Sequence, residues 1–143
     1  MKWDTIASFA TAIGVAIAAW QIWESRRLAQ TKFEDSLDQQ YRNLAMQIPV
    51  DALIGKPTPK EKKAEVREII YNYLDLCNEQ VYLRKKKRIR KVRWKDWSEG
   101  IKENLEKPAF REVWEEVKKE APSTFSFLTL LEEKGFDCDP AKW

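Results

Sequence analysis

The chain has 143 residues, 26 Lys and Arg against 23 Asp and Glu, a net charge of +3, two cysteines and no histidine. The missing histidine removes the commonest general base and metal ligand, and with them every Ser-His or Cys-His nucleophile. Four glycines among 143 residues hold no Gly-rich phosphate loop of the GxxxxGK or GxGxxG kind. A non-enzyme with no cofactor and no metal is expected.

Thr5 to Trp23, TIASFATAIGVAIAAWQIW, is a run of 19 residues without Lys, Arg, Asp or Glu. As a helix it would be about 28 Å long, close to the hydrocarbon core of a bilayer. Trp3 on one side and Trp20 and Trp23 on the other suit the headgroup layers. The reading is a transmembrane anchor over residues 1–24. Two rivals stand beside it: a cleaved signal, for which Ala16-Ile17-Ala18 offers an A-x-A site, and a buried helix of a soluble domain. Arg26, Arg27 and Lys32 outweigh Lys2, so the positive-inside rule places the N-terminus outside and the C-terminal domain in the cytoplasm. Within the span Ala10, Gly14 and Ala18 recur every four residues, beside a parallel stripe of Ser8, Ala12 and Ala16. Such spacing lets helices self-associate, so a homo-oligomer is expected.

Phe33, Leu37, Tyr41, Leu44 and Ile48 form an amphipathic stripe that stops at Pro49. No breaker separates it from the span, so residues 25–48 read as a stalk helix continuous with the anchor. Residues 49–59, with Gly55, Pro57 and Pro59, read as a linker. Thr58-Pro59-Lys60-Glu61 has the pattern of a capping box with proline at the first helical position. Residues 60–143 then read as a cytosolic α-helical ligand-binding domain. Val66, Ile70, Tyr73, Cys77 and Val81 mark one helix face, and Trp94, Trp97, Ile101 and Leu105 a second. Pro108 opens a third helix with Phe110, Val113, Trp114 and Val117 inward. Ser123 is placed to cap a last one, with Phe125, Leu128 and Leu131, ended by Gly135. The predicted class is all-α.

Cys77 and Cys138 are expected to be reduced structural thiols in a cytoplasmic domain. Asp137-Cys138-Asp139 makes a poor metal cage, because three adjacent residues cannot surround an ion. Asp75, Asn78 and Glu79 fit a hydrogen-bonded or exposed helix face.

The strongest anomaly is Arg84 to Lys95, where nine of twelve residues are basic and none acidic. Acidic charge lies elsewhere, as at Glu112, Glu115, Glu116 and Glu120. A dense like-charge cluster repels itself unless an anion or an acidic surface compensates. Arg84, Lys85, Lys86, Lys87, Arg88, Arg90, Lys91 and Arg93 are the candidate phosphate ligands, with Tyr82 and Trp94 as candidate stacking partners for a base. A solvated helix end, anionic lipid beneath the span, a phosphorylated nucleotide and general nucleic acid all fit this run.

IASFATAIGVAIAAWQIWESRR, YRNLAMQIPVDALIG, YNYLDLCNEQVYLRKKKRI, WKDWSEGIKENL and KPAFREVWEEV together resemble a family of small bacterial single-span membrane proteins near the DUF4760-type domains. The resemblance implies no catalytic residues. In such relatives a KKG-like turn follows the NEQ helix, whereas here Lys87-Arg88 stand where glycine is expected. The layout of short anchor and small basic α-domain is also similar to membrane effectors of bacterial antiviral systems, including CRISPR-associated ones that bind cyclic oligoadenylate. The expectation is therefore a bacterial inner-membrane antiviral effector with a polyanionic (cyclic oligo)nucleotide as ligand. Its rival is a passive membrane-tethered scaffold for a partner protein.

Overall fold

A computed structural model describes residues 2–143. They form helices with no strand among them: α1 (Lys2–Ala45), α2 (Val50–Leu53), α3 (Lys63–Lys85), α4 (Lys91–Glu106), α5 (Pro108–Glu120) and α6 (Ser126–Lys134), with short 3-10 turns at Lys60–Lys62 and Pro140–Lys142. The all-α expectation holds. The chain divides into two compact units, one ending at Asp35 and one covering Ser36–Trp143.

From Lys2 the first unit is helical, and its helix α1 is long and apolar enough by length and composition to cross a membrane. Large apolar side chains of the uncharged run, Phe9, Ile13, Ile17 and Ile22 among them, stand exposed. Two hydroxyls of the uncharged run are satisfied within the helix: Ser8 Oγ donates to the Asp4 carbonyl at 2.8 Å and Thr11 Oγ1 to that of Ala7 at 2.9 Å. That is how short polar side chains avoid leaving an unmet donor in an apolar surrounding. Ala10, Gly14 and Ala18 lie exposed, and a Cβ on Gly14 would meet nothing within 4 Å.

The second unit is built round α3. Ile70, Leu74, Cys77 and Val81 are fully buried, on the face read from their helical spacing. Against them pack α4, α5, α6 and the C-terminal 3-10 turn. Phe110, Trp114, Leu128 and Leu131 fill the space between, and Phe110 meets Tyr73 edge to face at 5.3 Å. Fully burying side chains of this size stabilises by about 1.5–3 kcal/mol each. The acidic face of α5 is matched by the first half of α3, through Lys63–Glu112 at 2.8 Å and Arg67–Glu116 at 2.6 Å. These pairs are exposed and of small energetic weight. They nonetheless keep α5 from being the counter-charge of the basic run.

Several boundaries differ from the expected ones. α1 ends at Ala45, and the linker holds the single turn α2. The capping box at Thr58 does not form: residues 60–62 make a 3-10 turn without a side-chain cap, and Thr58 Oγ1 is buried with no hydrogen-bond partner. α6 starts at Ser126 without help from Ser123. Its cap comes from α3, where Asn78 Oδ1 accepts from the Phe127 and Leu128 amides at 3.0 and 3.1 Å. Those are the second and third amides of the helix, the donors that an N-cap side chain satisfies. Gly135, at φ +83°, ends α6 as its position requires.

Candidate functional site

The basic run crosses the turn that joins α3 to α4. The Lys87 amide donates to the Arg84 carbonyl at 2.9 Å and the Arg88 amide to that of Leu83 at 3.0 Å. This is the paired closure of a Schellman motif, which needs a left-handed residue in the place of Lys87. Lys87 adopts it, with φ +58°, and is the non-glycine residue with positive φ among the described residues. The backbone at Lys87 is thus one that favours glycine.

The turn sorts its basic residues into two kinds. Arg84 points inward and is 8 % exposed. Its Nε and Nη2 donate to Asp139 Oδ1 and Oδ2 at 2.7 and 2.6 Å, and Nη1 donates to the Ile89 carbonyl at 2.7 Å. Arg93 pairs with Asp38 at 3.1 Å. Trp94 is buried and donates its indole N–H to the Cys138 carbonyl at 3.3 Å. These three candidates hold the fold together. Neither Arg84 nor Trp94 presents a surface to a ligand.

The second kind faces solvent. Lys86, Lys87, Arg88, Arg90 and Lys91 are exposed and Lys85 is half-buried. None of Lys85, Lys86, Lys87 or Lys91 has a carboxylate partner among the described residues. Lys85 Nζ stands 5.4 Å from the centre of the Phe127 ring and Lys86 Nζ 5.6 Å from that of Tyr82. The two rings lie 5.2 Å apart. Tyr82 is 39 % exposed, so of the two stacking candidates it alone offers a ring face. Beside the turn, a groove of about 680 Å³ interleaves Lys91 and Lys95 with Asp96, Glu99 and Asp137. Its mixed charge gives an anion no advantage there.

Titration is perturbed at the C-terminal segment beside the turn and in the core of α3. The hydrogen bonds from Arg84 hold the Asp139 carboxyl below its ordinary value, so the pair stays ionised. Burial pushes the Cys77 thiol up to about 12 and raises that of Cys138. Both cysteines are free and, held as thiols, are poor nucleophiles. Among the described residues no three His, Cys, Asp or Glu side chains gather as metal ligands.

Sequence reasoning missed Asp139 and Asp38 as the partners that consume two arginines. Their separation in sequence, 55 residues in the case of Arg84–Asp139, leaves no local signal. The chain matches no family model, no curated protein and no solved structure.

Proposed function

We propose that this protein is a single-span membrane protein whose helical domain docks a polyanion on the lysines of the α3–α4 turn. The carrying observation is the sorting just described. Arg84 and Arg93 are neutralised by carboxylates, while Lys85, Lys86, Lys87 and Lys91 are held on the surface without one. Uncompensated like charge in one turn is relieved by binding phosphates. Lysine serves as a point charge for them, and Tyr82, backed by Phe127, offers a stacking face for a base. The ligand class is a phosphorylated nucleotide chain, cyclic or linear. An effector of bacterial antiviral defence acting on the membrane is the biological reading.

The span sits in the bacterial inner membrane, N-terminus outside and domain in the cytoplasm, following the basic residues after Trp23. Copies associate through Ala10, Gly14 and Ala18. Cross-linked oligomers should then disappear in Gly14→Leu.

A second reading, the passive tethered scaffold, is favoured by the same arginine pairs, since they give part of the basic run a purely structural reason. A thermal-shift series on the full chain in neutral-lipid nanodiscs separates the two. Cyclic or linear oligoadenylate should raise the unfolding midpoint of the wild type and not of Lys85→Gln/Lys86→Gln/Lys87→Gln. No shift in the wild type would leave the scaffold. A response only to anionic lipid would reassign the turn to the membrane surface.

A further inference from the structure

Within the Ser36–Trp143 unit, α3, α4 and the last turns of α1 line an open cavity of about 170 Å³. Tyr41, Tyr73 and Trp97 supply aromatic walls, with Gln80, Gly100 and Asn104 between them. Several polar groups of this lining are already engaged. Trp97 Nε1 donates to Asp38 Oδ1 at 2.8 Å, Asn104 Nδ2 donates to Tyr73 Oη at 3.0 Å, and Asn104 Oδ1 accepts from Lys107 Nζ at 2.7 Å. Gln80 is not among them, and neither are Asp96 and the Tyr41 hydroxyl, but Gln80 is the buried one of the three. It is 5 % exposed, borders the cavity, and its amide has no hydrogen-bond partner among the described residues. The buried side-chain polar atom left without a partner among the described residues is Thr58 Oγ1, so the Gln80 amide is unpaired but open to the cavity.

Gly100 is an independent second oddity. It sits inside α4, where glycine weakens a helix relative to alanine. A Cβ there would meet nothing within 4 Å, and its φ is not left-handed, so neither packing nor backbone asks for glycine. What its missing side chain keeps open is the wall of this cavity.

We propose that the cavity binds one planar six-membered heterocycle bearing an adjacent hydrogen-bond donor and acceptor, the class of uracil, cytosine or nicotinamide. An apolar cavity of about 150 Å³ holds one benzene ring, so this one admits a single ring. The aromatic walls take its faces. The Gln80 amide, one donor side and one acceptor side, reads its edge in the two-bonded manner by which amides read base edges. The site shares no residue with the lysine turn and stands whether or not that turn binds phosphate.

Saturation-transfer NMR on the full chain in micelles, with uracil, cytosine, nicotinamide and benzene as probes, tests it. At least one heterocycle should bind more tightly than benzene. Gln80→Met, equal in length but without the amide, should weaken that binding at least about tenfold. Gly100→Ala should raise the unfolding midpoint and weaken the heterocycle, two opposite effects that a structural role alone does not produce. Lys85→Gln/Lys86→Gln should leave it unchanged. The proposal is overturned if no heterocycle binds by about 10 mM, which would mean that the cavity holds water only. It is equally overturned if benzene binds as well as the heterocycles, or if both variants keep wild-type affinity.

Discussion

Arg84 and Asp139 meet in a two-pronged ion pair, 2.7 and 2.6 Å, that ties the last turn of α3 to the C-terminal segment. Both side chains are largely shielded, at 10 % and 15 % exposure. In that setting Coulomb attraction is screened little, and loss of one partner strands the other.

Asp139→Asn should therefore cost about 3 kcal/mol in chemical denaturation, and Arg84→Gln a similar amount. The pH dependence follows in sign. Asp139 titrates lower in the folded state than its ordinary 3.8. Its contribution is complete above that value and is lost as pH falls through the lower, folded-state one. Wild type should lose stability below about pH 4 more steeply than Asp139→Asn. Equal acid limbs would remove the pair from the account of stability.

Lys87 stands in left-handed backbone at φ +58°. Lys87→Gly should stabilise the fold by about 0.5–1 kcal/mol, because the steric cost of a Cβ there outweighs the freedom that glycine gains when unfolded. The same change should weaken polyanion binding. A stabilised variant with weaker binding would mean that the side chain is kept for its charge, whereas stability gained with binding unchanged would take Lys87 out of the site.

Asn78 caps α6 from α3 by accepting from two of its first amides. Asn78→Ala should cost about 1–2 kcal/mol. Asn78→Asp keeps the acceptor and adds negative charge at a helix N-terminus, so it should recover most of that stability. Urea midpoints of the three proteins decide it. An aspartate as damaging as alanine would mean that the Asn78 amide nitrogen, not its oxygen, matters.

The helices and the buried face of α3 were legible because apolar spacing is a property of neighbours a turn apart. Val66, Ile70, Tyr73, Cys77 and Val81 are all buried. Helix starts were less legible. Thr58 and Ser123 have the right local chemistry for caps, yet one is passed over for a 3-10 turn and the other is replaced by Asn78, nearly fifty residues upstream. The basic run shows the same limit. Its charge is plain in the sequence, but which of its residues face inward depends on Asp38 and Asp139, which only folding brings near. The left-handed backbone at Lys87 was not legible either, since a lysine carries no local signal for it.

The most direct test of the polyanion account is the salt dependence of oligoadenylate binding to the full chain in neutral-lipid nanodiscs. If Lys85, Lys86 and Lys87 each neutralise a phosphate, the logarithm of the association constant should fall with that of salt concentration at a slope of about −2. Lys85→Gln/Lys86→Gln/Lys87→Gln should flatten the slope toward zero and weaken binding at low salt. A triple variant that keeps its fold and binds with the wild-type affinity and slope would contradict the assignment.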